Sequence, residues 1–291
     1  MKEGFYTALG TPVDNNGNLI ADSFQKHVED QIEAGASGLL AMGSMGIEPY
    51  LKQSEYRKIA STVSETVRGR CPVLVGVMDN SINRVMERIG SLEGLHIDGV
   101  VATTPFYYSV TQEELKNFYI EIADRSKYPL YLYDLAVVTK TKITVGTIEF
   151  LMQHDNIKGI KTGDLITVRE LSRNCSRKDN FAVIYSGLDT FDVAWEYGVK
   201  MNLDGMFSCT PNTTSKLYKS LLQNDSEQAG KYLDEILVLR NTLVEVGVFK
   251  GFTCAMNILG YEGSFAPDYT GKPEDKDFDK VRQCMKKCGM I

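Results

Sequence analysis

Short apolar runs rich in β-branched residues alternate along the chain with longer stretches whose apolar residues recur every three or four positions. The runs at residues 5–11, 38–42, 73–77, 99–103, 130–134, 157–161, 182–186 and 205–208 predict eight strands. Between them, residues 21–34, 54–67, 112–125 and 144–154 predict helices, with Ser81, Thr111 and Asp189 standing where N-caps belong. Beyond the eighth run the periodicity is helical only, at 214–222, 226–246, 249–259 and 277–288, and a Gly-, Pro- and acid-rich loop covers 260–275. Strand–helix alternation of this kind predicts an α/β fold with parallel strands, and eight repeats is the number that closes a (β/α)₈ TIM barrel. The expected organisation is a barrel over residues 1–223 and a C-terminal helical extension over 224–291. A doubly wound open sheet is the structural alternative, because alternation alone does not close a barrel.

In a (β/α)₈ barrel the reactive groups gather where the strands end, so the residues at those ends are the candidates. Lys161 ends an apolar run, where desolvation would depress its ammonium pKa and free a lone pair for a carbonyl; a solvated lysine is an equal reading of the same spacing. Tyr133 ends the preceding run and would stand beside Lys161 if the two strands are neighbours, as a proton shuttle or as a packed aromatic. Tyr107 and Tyr108 form an aromatic pair after the fourth run, suited to a site or to an interface. Gly43-Ser44-Met45-Gly46 is a small-residue loop whose amides and hydroxyl could hold a carboxylate, or a plain tight turn.

Composition narrows the classes. At 291 residues, 43% hydrophobic and 24% charged, the chain can bury a large core, and its net charge of -6 is spread without a basic stripe, so nucleic acid is not an expected partner. The N-terminus carries no apolar leader and no run is long enough to span a bilayer, which predicts a soluble, cytoplasmic protein with no membrane partner. Cysteines at 71, 175, 209, 254, 284 and 288 are expected as thiols, with Cys284 and Cys288 sharing a helix face. His27, His96 and His154 fall amid helix-like sequence and assemble no metal cluster by spacing; no dinucleotide or phosphate-loop motif follows the first run.

Taken in order, Ala8-Leu9-Gly10-Thr11-Pro12, the loop at 43–46, Thr104-Pro105-Phe106-Tyr107-Tyr108, Leu132-Tyr133, Gly159-Ile160-Lys161, Ser186-Gly187 and Asp204-Gly205 with Asn212 resemble the dihydrodipicolinate synthase and N-acetylneuraminate lyase family of class I aldolases. The resemblance implies a (β/α)₈ barrel with a helical C-terminal extension, assembled as a homotetramer of tight dimers. It implies no cofactor beyond a covalent imine between pyruvate, or another 2-keto acid, and Lys161. Tyr133 falls on the proton-transferring tyrosine, Ser44 on the first hydroxyl of the carboxylate-gripping loop, and Tyr107 on the tyrosine that crosses the dimer interface. Gly187 and the 205–208 run, with Phe207 and Ser208, would line the pyruvyl pocket.

The departures bear on the second substrate. Met45 replaces the loop's second hydroxyl and Ile47 precedes Glu48, while Val138 takes the place of an arginine that binds a carboxylate in the synthases. Asp189 matches an acidic residue used by the lyases, but Thr190 stands where they carry glutamate and Cys209 where they carry serine. The first expectation is therefore a lyase that cleaves or forms a 2-keto-3-deoxy sugar acid, such as N-acetylneuraminate or 2-keto-3-deoxygluconate. The 4-hydroxy-tetrahydrodipicolinate synthase reaction, or a related dehydratase, is the alternative. A barrel that binds a keto acid without catalysis is the third.

Overall fold

A computed structural model describes residues 1–173 and 180–291; Cys175 lies outside the described residues. Strands β1 (Gly4–Ala8), β2 (Gly38–Ala41), β3 (Val73–Gly76) and β4 (Gly99–Thr103) alternate with helices α1 (Ala21–Glu33), α2 (Tyr56–Val67), α3 (Ile82–Ser91) and α4 (Gln112–Arg125). The second half repeats the pattern with β5 (Leu130–Asp134), α5 (Ala136–Thr139), α6 (Val145–Leu151), β6 (Ile157–Thr162), α7 (Leu165–Arg173), β7 (Ala182–Tyr185), α8 (Phe191–Glu196), β8 (Met201–Asp204) and α9 (Pro211–Leu222). Each strand pairs in parallel with the next, and β8 returns to β1 with Phe5 opposite Asn202, so the sheet is a closed barrel and the open-sheet alternative falls. A helical C-terminal region follows: α10 (Ser226–Val246), α11 (Val248–Ile258) and α12 (Asp275–Lys287).

The last strand differs from its prediction. It runs Met201–Asp204, while residues 206–209 form a 3₁₀ turn. Asn202 and Asp204 interrupt the apolar run that a parallel strand ordinarily shows, and the apolar Met206 and Phe207 just beyond it mimic one. Of the three expected N-caps, Thr111 forms a full capping box with Glu114; Ser81 stands at its helix start without a side-chain bond, and Asp189 lies inside a short 3₁₀ turn. His96 and His154 lie in the connections after helices, while His27 is inside α1.

Two aromatic plugs fill the lower barrel, and facing glycines admit them. A Cβ on Gly38 would stand 2.3 Å from the Tyr6 ring, and one on Gly99 2.6 Å from Tyr131. Because side chains alternate along a strand, the same register that turns Tyr131 inward turns Tyr133 inward one layer higher. The upper layer is thus the place where strand ends can carry chemistry.

Candidate active site

Two of the predicted residues meet in that upper layer. Tyr133 of β5 is directly opposite Lys161 of β6, and the lysine Nζ sits 3.9 Å from the centroid of the phenol ring. Lys161 is only 6% exposed, and its amine has no carboxylate within ion-pair distance among the described residues. On the other side of Tyr133, Thr103 of β4 brings a buried hydroxyl that finds no partner. Such an orphaned polar atom is a place where a ligand can complete the bonding. Thr103 is one of the strand-end residues, but a threonine there is common and no local pattern singles it out.

Ser44 and Met45 are half-buried on the loop after β2. The loop is held in an unusual shape. Met42 and Ile47, on its two sides, adopt positive φ of 53° and 51°, the left-handed region that a β-branched residue rarely enters. Ile47 turns the next residue, Glu48, inward, where its carboxylate binds Arg88 and accepts from the Tyr56 hydroxyl. Arg88 also reaches Asp79 at 2.9 Å and lies 4.9 Å over the Tyr56 ring. Burial pushes the Glu48 carboxyl up to about 8, and Arg88 pulls against that rise. This buried cluster braces the loop against the ends of β3 and α3.

Met45 closes the mouth from the β2 side by lying on Gly205, just after β8. A Cβ on Gly205 would stand 2.0 Å from Met45 Cγ. Gly205→Ala should therefore cost about 1–3 kcal/mol through overpacking. Thermal melts should show Met45→Ala restoring most of that loss in the double variant; an additive double variant would mean the two side chains do not meet.

Phe207, Ser208 and Cys209, predicted to line the pocket, have almost no exposed surface. The reason is the 3₁₀ turn, which packs Phe207 edge-on against Phe5 at 5.8 Å and turns the Cys209 thiol to the Met206 carbonyl. Ser208 is committed too: its hydroxyl donates to the Ala8 carbonyl (2.8 Å) and accepts from the Gly10 amide (3.2 Å). With its one proton spent, the hydroxyl must accept from His27 Nε2, 3.2 Å away, so His27 carries its proton on Nε2. All three side chains are thus enclosed in the wall of the barrel.

His27 itself carries a pH prediction. Complete burial holds its imidazole down at about 3, against an ordinary value near 6.5. A depressed folded value means the unfolded chain binds the extra proton, so this group's contribution is present above pH 6.5 and drains away as pH falls toward 3. Denaturant titrations should show that loss at up to about 1.4 kcal/mol per pH unit. In His27→Gln the slope between pH 6.5 and 4 should flatten, and an unchanged slope would mean His27 is not its source.

Asp134, next to Tyr133, is structural: it accepts from the Ile143 amide (3.1 Å) and the Thr162 hydroxyl (2.9 Å). Val138 is on the exposed face of the short α5, and its neighbour Val137 is more exposed still. Tyr107 and Tyr108 stack edge-on at 4.9 Å, with Tyr107 71% exposed and outside the Lys161–Tyr133 cluster. Asp189, two residues beyond Gly187, is gripped by Arg240 of α10, which holds its carboxyl below the usual range. Asp204, at the end of β8, accepts from the Met206 amide at 2.8 Å; burial raises its carboxyl, while the charges of Lys161 and Arg240 oppose that rise. Neither Arg240 nor the pairing across 51 residues has a local sequence signal.

Among the described residues no group of three or more His, Cys, Asp or Glu is placed to hold a metal ion, and no helix is long and apolar enough to cross a membrane. The sequence model of the Dihydrodipicolinate synthetase family matches residues 1–283. The chain belongs to that family. Similar curated relatives are 4-hydroxy-tetrahydrodipicolinate synthases. One from Thermodesulfovibrio yellowstonii is 31% identical over 234 residues, covering 79% of each chain; one from Gluconacetobacter diazotrophicus is 29% identical over 239 residues, covering 82% of this chain and 78% of its own. The fold matches a dihydrodipicolinate synthase from Thermotoga maritima with a TM-score of 0.91 at 23% identity, over 100% of both chains. It equally matches a prophage protein of the family from E. coli K12, solved with pyruvate, at a TM-score of 0.91 and 20% identity over 100% of each chain. Membership makes this dihydrodipicolinate synthetase family protein an aldolase-type carbon–carbon lyase.

Proposed function

We propose that the chain joins pyruvate to an aldehyde through an imine on Lys161, in the manner of a 4-hydroxy-tetrahydrodipicolinate synthase. The observation that carries this reading is the buried Lys161 amine lying against Tyr133 in the upper barrel. The amine attacks the C2 carbonyl of pyruvate, and loss of water leaves an iminium on Nζ. Removal of a C3 proton gives an enamine whose carbon attacks the aldehyde, and the new alkoxide takes a proton. The Tyr133 hydroxyl is suited to carry those protons between nitrogen, water and alkoxide. Ser44 and the amides of its loop are suited to the pyruvate carboxylate, while the room at Gly187 goes to the Tyr185 hydroxyl, which a Cβ there would meet at 2.2 Å. Tyr107, exposed on one chain, fits a role in the site of a second chain within a dimer.

The sugar-acid reading, first in the sequence, moves behind this one. Its support was Asp189, whose carboxylate is already bound at two points by Arg240, and the curated relatives carry the synthase name. The decisive experiment offers the protein pyruvate with aspartate semialdehyde and, separately, N-acetylneuraminate and 2-keto-3-deoxygluconate. Consumption of pyruvate with the semialdehyde is expected. Release of pyruvate from a sugar acid, with no use of the semialdehyde, would overturn the proposal.

A further inference from the structure

Arg240 reaches the mouth from α10, which belongs to no barrel repeat. Its Nη1 and Nη2 donate to Asp189 Oδ2 (2.5 Å) and Oδ1 (2.8 Å), a two-point fork. Asp189 is in the turn that leaves β7, and α10 packs on that turn. β7 pairs on one side with β6, where Ile184 is opposite Lys161, and on the other with β8, so the fork stands over the strand next to the one that carries the amine.

The pair is lopsided. Arg240 keeps 30% of its side chain exposed and is steadied by the Asn241 side-chain oxygen, whereas Asp189 is 66% exposed. An ion pair so open to water adds little to stability, and the aspartate is the looser partner. A carboxylate on a ligand would present the same two oxygens to the same fork. Elsewhere at the mouth Lys142 is already paired with Asp134 and Asp164, and Val138 has no charge to offer.

We propose that Arg240 determines specificity for the second substrate by releasing Asp189 and binding a carboxylate on the aldehyde, remote from its carbonyl. Asp189 is then an internal stand-in for that carboxylate. Once displaced, it faces outward and can meet an ammonium, so the pair as a whole suits the zwitterionic end of an α-amino acid. This inference rests on the proposed function for the order of events, but not for its test.

The test is titration calorimetry of the protein without pyruvate, where no enamine can form, with 4-oxobutanoate, which carries a carboxylate and no ammonium, and with butanal, which carries neither. Arg240→Gln should weaken 4-oxobutanoate by about 10- to 100-fold, the loss of a charge-assisted two-point bond, and leave butanal in place. Arg240→Lys should fall between, and Asp189→Asn should tighten 4-oxobutanoate by removing the competitor. Three results would overturn the inference: no binding of 4-oxobutanoate to the wild type, equal weakening of both aldehydes, or weakening by Asp189→Asn. Loss of pyruvate trapping in both arginine variants would likewise make Arg240 a structural brace. Failure of the wild type to use aspartate semialdehyde sinks the synthase reading alone, because the preference for an anionic aldehyde is measured without turnover.

Discussion

Lys161→Ala should abolish pyruvate-dependent chemistry while the protein stays folded. The amine is the only group of the Lys161–Tyr133 pair that can form a covalent bond to a carbonyl carbon, so nothing in the cluster replaces it. The fold should tolerate the loss because the lysine has no ion-pair partner among the described residues whose charge would be left exposed. Lys161→Arg separates two roles, since it keeps the cation over the Tyr133 ring but offers no nucleophile. Both variants should be inactive in a pyruvate-consumption assay. Tyr133→Phe should retain imine formation at a rate lower by about 10²- to 10⁴-fold, the usual worth of a positioned proton carrier. Turnover by Lys161→Arg would show that the role is electrostatic and not covalent.

Arg88→Leu should be the most damaging substitution for stability. Arg88 is the shared partner of two buried carboxylates, Glu48 and Asp79, and it covers the ring of Tyr56. Its removal leaves Glu48 buried with no cation and leaves Asp79 only the more exposed Arg84, 3.1 Å away, a loss of about 3–5 kcal/mol. Glu48 can soften the blow by taking up a proton, since burial already raises its carboxyl, so the defect should be smaller at pH 5 than at pH 8. The loop at residues 43–46 should loosen as well, because the left-handed Ile47 is held in place by the inward turn of Glu48. Urea titrations at the two pH values measure the effect. A loss below about 1 kcal/mol at both would mean that the cluster is not a brace, in the range of an exposed pair.

Much of the barrel was legible because its strands are buried on both faces and read as continuous apolar runs, as at β4 and β5, whose bounds match the prediction. The eighth strand was not, because Asn202 and Asp204 break that signal while Met206 and Phe207 imitate it. That Lys161 and Tyr133 would stand side by side was readable from strand ends, since register places neighbouring ends together, but a role for either came only from the family resemblance. The burial of Ser208 was hidden for the same reason that the end of β8 was: the turn that buries it depends on His27 and Ala8, far away in the chain. Arg240 and the inward Glu48 depend on long-range pairing, which no local pattern encodes.

The most direct measurement is borohydride reduction of the wild-type protein under saturating pyruvate, followed by mass spectrometry of its peptides. A three-carbon adduct on Lys161, absent from Lys161→Arg, is the expected result. An unmodified Lys161, or an adduct on another lysine, would contradict the assignment of the imine to this residue.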